Sequence, residues 1–367
     1  RFWNNRISVD FTYYWKSTTD QIMRASVSSA SGYKERFVNA GEIQNRGAEL
    51  TSSITPVKTK NFEWTTIFNW SKNNSKVVSL TPGVDRYQVR AAGADGCISY
   101  VEVGKPYGQM YGTDWQRDAA GNVIADVSGK PLEQKDVYIG CVEPDFLGGW
   151  KNQFRYKGFD FSFLFDFKKG GLFYSETAYK ANNMGNSIKS LEGRDEYFFS
   201  KWVLDESDQE RAGYLRPTDV PFPADAQANR VPYMDGARPK GVYFPGRVFE
   251  ASIEGLGGQP VVNDWVKPDV MFCHISGRNA KMNTYDATYV KLREVALGYT
   301  FPKKLLRKTP FQSLRLSAVG RNLAILFQNT PQGIDPEATS TTGNGQGFEQ
   351  GYPLPTATYG FDLKVTF

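Results

Sequence analysis

Apolar and polar side chains take turns along eight separate stretches of this chain, and each stretch reads as a β-strand. The clearest runs through Phe159, Phe161, Phe163, Phe165 and Phe167, set against Asp160, Ser162 and Asp166. Period-two alternation puts one residue type on each face of a strand. Residues 6–15 place Ile7, Val9, Phe11, Tyr13 and Trp15 opposite Ser8, Asp10, Thr12 and Tyr14. A weaker stretch, 43–57, has Ala48, Leu50, Ser52 and Ile54 in phase. Phe62, Trp64, Thr66, Phe68 and Trp70 form the next apolar row. Trp150, Phe154 and Tyr156 follow, against Lys151, Gln153, Arg155 and Lys157. Residues 287–301 alternate too but change phase between Leu292 and Val295, which predicts a β-bulge near Arg293–Glu294. Leu314, Leu316 and Ala318 mark the seventh stretch. In the eighth, 356–367, Tyr359, Phe361, Leu363, Val365 and the terminal Phe367 alternate with Gly360, Asp362, Lys364 and Thr366. Eight such segments in succession predict an all-β chain.

The connections sort by length. Thr59-Lys60-Asn61, a turn at Gly158, and a stretch near 302–312 join alternate pairs of strands. In the last of these, Pro302 at a first helical position predicts one or two helical turns. The other connections are long: 17–42, 72–146, 169–286 and 324–355. Short turns at one end and long loops at the other is the pattern of a transmembrane antiparallel β-barrel. It predicts turns and C-terminus in the periplasm and loops outside the cell. A final strand ending on an aromatic residue fits the assembly signal of such barrels, carried here by Tyr359, Phe361, Leu363, Val365 and Phe367. An edge strand of a soluble sandwich is the alternative for that segment alone.

Composition supports this picture. The 367 residues have a mean hydropathy of −0.48, which leaves no room for apolar spanning helices. A barrel survives, because only alternate residues face lipid. The aromatic share, 14%, suits interfacial girdles and ligand stacking. A net charge of +5 is spread too thinly for nucleic-acid binding. Cys97, Cys141 and Cys273 lack metal-type spacing. If the loops face outside, Cys97 and Cys141 could pair, although free thiols are the simpler reading. The chain opens on Arg1-Phe2-Trp3 with no signal peptide, as expected of the later part of a longer secreted protein.

Several local motifs then resemble one family. They are Phe2-Trp3-Asn4-Asn5-Arg6, the run 39–50 (NAGEIQNRGAEL), and Gly104-Lys105-Pro106-Tyr107-Gly108-Gln109-Met110-Tyr111-Gly112. Gly170-Gly171 follows the fifth stretch. The most specific run is 289–299 (YVKLREVALGY), leading into Phe301-Pro302-Lys303-Lys304. After it come Gly320-Arg321-Asn322-Leu323, Asp335-Pro336-Glu337 and Tyr352-Pro353-Leu354-Pro355. In order and spacing the chain resembles the C-terminal part of SusC/RagA-like TonB-dependent transporters of Bacteroidetes. Val142-Glu143-Pro144-Asp145 departs from the family's Gly-Asn/Asp-Pro-type turn, and the 169–286 connection is long for it. The resemblance implies a 22-stranded barrel, with residues 1–367 supplying about the last eight strands. The plug domain and the energy-coupling N-terminus would lie upstream. It further implies active import of a nutrient oligomer, glycan first and peptide second, in the bacterial outer membrane. The implied partners are a SusD-like surface lipoprotein acting as a lid, TonB, and outer-membrane lipid; a dimer of transporter–lipoprotein pairs is compatible with it.

No catalytic constellation is legible, and no cofactor is called for. His274 is the single histidine, so triads and two-His metal sites lack material. Acidic pairs such as Asp205–Glu206 carry no glycosidase signature. Asp114–Asp118 with Gly121–Asn122 is read as a hairpin turn rather than a cation loop. The rival readings are a non-transporting adhesion or surface-binding barrel and a free-standing eight-stranded enzyme barrel. Among the loop aromatics, Tyr111, Trp115, Trp202, Tyr214 and Trp265 are the candidates for contact with substrate or lid; Asp10, Glu63, Asp160 and Asp166 are expected to line the lumen.

Overall fold

A computed structural model describes residues 2–20, 22–26, 35–39, 41–92, 96–125, 131–187, 247–249, 260–261, 279–338, 345–351 and 355–367. The chain opens with β1 (Ile7–Thr18), a small hairpin of β2 (Ile22–Ser26) and β3 (Glu35–Asn39), then the long β4 (Glu42–Lys58) and β5 (Phe62–Ser79). Four shorter strands follow: β6 (Arg86–Ala91), β7 (Ile98–Glu102), β8 (Gln109–Trp115) and β9 (Ile124–Ala125). Then come β10 (Glu133–Cys141), β11 (Pro144–Tyr156), β12 (Phe159–Gly170) and β13 (Leu172–Ser175), which leads into helix α1 (Glu176–Asn183). Strands β14 (Arg247–Phe249), β15 (Pro260–Val261) and β16 (Thr284–Asp286) precede β17 (Tyr289–Thr300). Helix α2 (Lys303–Leu306), β18 (Ser313–Gln328), β19 (Phe348–Glu349) and β20 (Thr358–Thr366) complete the order.

Eight strands form one antiparallel sheet, in the order β1-β4-β5-β11-β12-β17-β18-β20. They are the eight alternating stretches of the sequence, each beside its predecessor. Register carries the pattern across strands. Phe11 faces Leu50, Leu50 faces Trp70, and further along Phe161 faces Leu297, Leu297 faces Ala318, and Ala318 faces Phe361. One face is therefore a continuous apolar band, with Phe11, Trp15, Phe161, Leu297, Tyr359 and Phe361 exposed on it. These aromatic rows do not pack into a protein interior.

Two indole N–H groups of the band's β5–β11 pair find local acceptors. Trp64 Nε1 donates to Asn152 Oδ1 at 3.0 Å, and Trp150 Nε1 donates to Thr66 Oγ1 at 2.8 Å. Indole N–H groups on such a face have no water to turn to, so neighbours must accept from them.

The opposite face is knitted by charge. Glu63 takes Lys58 and Arg155, Asp160 takes Arg315, and Glu294 takes Lys151 and Arg321. Of the four expected lumenal acids, Glu63 and Asp166 are thus paired with cations on adjacent strands, and Asp160 with Arg315 two strands away across β17. The predicted bulge is present: Arg293 is skipped in both ladders of β17. One extra residue lets Arg293 and Glu294 both reach the polar face while Leu292 and Val295 stay on the apolar one.

The short connections also match. Lys157 and Gly158 form a two-residue turn with φ of 47° and 94°, a left-handed pair that glycine accommodates at no steric cost. Helix α2 stands where a helical turn is expected, with Pro302 one place earlier than predicted, at the N-cap. At the other end the loops are more structured than the sequence reading allows. Strands β10-β8-β7-β6 make a four-stranded sheet inside the 72–146 connection, and β16-β13-β19 a three-stranded one that joins two separate loops.

Candidate functional site

The long-loop end of the wall carries a platform with its own core. Ala92, Cys97, Met110, Tyr174, Tyr179, Ala280 and Phe348 bury one another, flanked by Ile139, Val142 and Leu172. These residues come from three connections (72–146, 169–286 and 324–355), so the described parts of the three pack against one another. Cys97 and Cys141 are not joined in a disulfide, and burial pushes the Cys141 thiol upward.

Carboxylates anchor the platform at three points. Glu349 accepts from the hydroxyls of Ser175 and Thr177 at 2.5 Å each, which ties the last loop to the N-terminus of α1. Ser175 is itself the N-cap, accepting from the Ala178 N–H. Glu143 takes Asn73 Nδ2 at 2.7 Å and the Ser75 hydroxyl at 2.8 Å, pinning the platform to β5. Ser75 Oγ in turn accepts from the N–H of Tyr107. The third anchor is Asp335-Pro336-Glu337. The Lys291 ammonium lies 2.6 Å from Asp335 and 2.6 Å from Glu337, with Lys291 and Asp335 both buried. Arg293 bridges Asp166 and Glu337, and Tyr289 donates to Glu337 at 2.8 Å. Burial pulls the Glu337 carboxyl upward, but Lys291, Arg293 and Tyr289 outweigh it and hold it below the usual range.

Within the four-stranded sheet lies a cavity of about 630 Å³, lined by Arg86, Tyr100, Tyr111, Thr113, Glu133 and Asp136 among others. The Arg86 guanidinium sits 3.5 Å from the ring centre of Tyr100 and 4.0 Å from that of Tyr111. It also forks onto Asp136 at 3.0 and 2.5 Å, and its Nε has no partner among the described residues. The side-chain hydrogen bond to Asp136 holds the guanidinium charged. Tyr111 donates to Glu102 at 2.7 Å and accepts from Lys105 at 3.0 Å. The cavity is thus lined by carboxylates, tyrosine edges and a guanidinium that stacks on both rings and keeps its Nε unpartnered among the described residues, a polar set that suits a polar oligomer.

Of the five candidate loop aromatics, Tyr111 and Trp115 are described, and both are buried in the platform. Tyr111 keeps an edge on the cavity. Trp202, Tyr214 and Trp265 lie outside the described residues, as do His274 and the Asp205–Glu206 pair. Sequence reasoning missed Arg86, Tyr100 and Asp136, which come together only because β6, β7 and β10 share a sheet. Asp118 caps its own turn, accepting from the N–H groups of Ala120 and Asn122, as a hairpin requires. Among the described residues no group of His, Cys, Asp and Glu is arranged to hold a metal.

No family model matches the chain. Curated relatives do. It is 26% identical over 392 residues to TonB-dependent receptor P3 of Formosa agariphila, covering 98% of this chain and 32% of that one. It is 28% identical over 176 residues to TonB-dependent receptor SusC of Bacteroides thetaiotaomicron, covering 44% of this chain and 17% of that one. The chain spans about a third of the length of the full-length relatives it matches. In fold it is similar to the RagAB peptide importer in its "open-open" state, with TM-score 0.59, 16% identity, and coverage of 99% of this chain and 33% of the other. The eight-stranded sheet is therefore wall of an outer-membrane β-barrel, its apolar band is the lipid face, and the chain is SusC/RagA-like.

Proposed function

We propose that this chain is the C-terminal portion of an outer-membrane importer that takes up a nutrient oligomer, driven by TonB and closed by a SusD-like lipoprotein lid. The similarity over nearly its whole length to TonB-dependent receptors carries this reading. The remaining strands, completing 22, the plug and the energy-coupling segment belong to the rest of the protein. The long loops face the cell exterior, and the turns and Phe367 face the periplasm.

The wall is mechanically passive in this scheme. Its strands are mutually hydrogen-bonded, and Glu63, Asp160, Asp166 and Glu294 on the lumenal face are paired with cations across strands, so a moving plug meets a fixed, hydrated surface. The work is done by the plug when TonB pulls it. The loop platform supplies part of the substrate chamber and the surface on which the lid closes. The cargo is a glycan oligomer, whose hydroxyls suit the polar lining of the Arg86 cavity. A peptide is the second reading, favoured by the fold likeness to a peptide importer. Uptake of fluorescent oligosaccharides and oligopeptides by cells expressing the full-length receptor, with and without TonB and the neighbouring lipoprotein, tests the proposal. TonB-dependent entry of one cargo class, and a lipoprotein that co-purifies, are the expected results. Entry that ignores loss of TonB, or isolation free of any lipoprotein, counts against it.

A further inference from the structure

The lipid face is not apolar to its upper edge. On β5 the outward row reads Phe62, Trp64, Thr66, Phe68, Trp70 and then Lys72, Asn74, Lys76. On β4 it reads Ile54, Ser52, Leu50, Ala48 and then Arg46, Gln44. The two strands switch at adjoining levels, since Ala48 pairs with Lys72 and Arg46 with Asn74. From Phe62 to Lys72 is about 33 Å of strand, which at a barrel tilt of about 40° is about 25 Å of height, the height expected of an outer-membrane apolar band. The cations therefore stand at headgroup depth. Two strands further on, β12 repeats the step, with exposed Lys169 following Phe167.

Arg46, Lys72 and Lys76 are all exposed and edge a groove of about 700 Å³ floored by Tyr13, Ala48 and Val78. Among the described residues none of the three is in an ion pair. On the polar face, by contrast, Lys58, Lys151, Arg155, Lys291, Arg293, Arg315 and Arg321 are each paired with an acid. Arg46 is held instead by stacking over the Trp15 ring, 4.7 Å from its centre, which fixes its position and leaves its N–H fork free. The nearest acid in the row, Glu42, is already engaged by Ser17 and Gln44.

We infer that this groove binds the phosphate-bearing headgroup of an outer-leaflet glycolipid. Three unpaired cations beside a lipid-facing wall match a phosphorylated headgroup in charge. Arg46 offers a fork to phosphate oxygens, Lys72 and Lys76 act as point charges, and Gln44 and Asn74 bond sugar hydroxyls. Tyr13 and Ala48 lie against the first carbons of the acyl chains. The inference rests on the orientation given under Proposed function, with the long loops outside.

The full-length receptor, extracted from its own outer membrane, is the material for the test. Retained lipid is identified and counted by native mass spectrometry. The combined variant Arg46→Gln, Lys72→Gln, Lys76→Gln removes three charges at the upper rim. The variant Lys60→Gln, Lys303→Gln, Lys304→Gln removes three at the turn end and serves as control. Heat-modifiable gel mobility confirms that both barrels are folded. The expected result is phosphorylated glycolipid on the wild type and the control, and about tenfold less on the upper-rim variant. Equal retention by both variants overturns the site. If the lipid lost from the upper-rim variant is a glycerophospholipid, that rim faces the periplasmic leaflet, and the orientation falls with the assigned occupant.

Discussion

At the scale of single residues, the consequential choice is Lys291. It points inward from a wall strand, is buried, and meets two carboxylates of the last loop. Burying that charge is tolerable only because Asp335 and Glu337 complete its shell. Replacing Lys291 by Met leaves Asp335 buried without its cation, and breaking such a pair costs about 3–5 kcal/mol. Lys291→Met should therefore release the 324–355 loop from the wall, seen as faster proteolysis in that loop while the barrel keeps its heat-modifiable mobility. A loop as resistant as wild type would remove the anchor from the account. The same cluster sets a pH dependence. Glu337, and Asp114 beside Lys281, are both held below their ordinary values of 4.5 and 3.8. For carboxylates lowered by folding, the stabilisation is complete above the ordinary value and is lost as pH falls through the lowered one. The platform should thus hold from neutral pH down to about the ordinary carboxylate range. Below that range it should loosen ahead of the wall, measurable as loop hydrogen exchange between pH 5 and pH 3.

At the scale of the element, period-two patterning was enough to locate every wall strand, because one face meets lipid and the other water. The bulge at Arg293 was legible for the same reason: two charged residues in a row cannot both avoid lipid without an extra residue. The platform was not legible. Strand β8 is covered on both sides, so Gln109, Met110 and Tyr111 are all buried in succession and alternation disappears. Its partners also come from connections more than a hundred residues apart, as Ser175 and Glu349 do. The Arg86 cavity was hidden likewise, since nothing local marks Arg86, Tyr100 and Asp136 as neighbours. The C-terminal element yields its own prediction. Phe367 is exposed and packs edge-on against Phe311, with ring centres 5.4 Å apart. Removing that contact costs little in a finished wall, so a large effect of Phe367→Ser would report on assembly. Folded barrel in the outer membrane should drop severalfold, read on unheated gels; unchanged surface levels would count against the assembly role.

At the scale of the whole molecule, the sheet has two free edges, β1 and β20, in the order observed. An open eight-stranded wall in lipid leaves unpaired backbone groups at both edges, which the proposed barrel would close with strands from the rest of the protein. That fits a chain spanning about a third of its relatives. The central claim beneath all of this is that one face of the wall meets lipid and the other does not. Nitroxide scanning of residues 159–167 in the full-length receptor, reconstituted in bilayers with its native cysteines replaced, tests it most directly. Accessibility to dissolved oxygen should peak at Phe159, Phe161, Phe163, Phe165 and Phe167, and accessibility to a polar nickel chelate should be out of phase, with a period of two. Oxygen accessibility that is flat along the strand, or that peaks at Asp160, Ser162 and Asp166, would contradict the account.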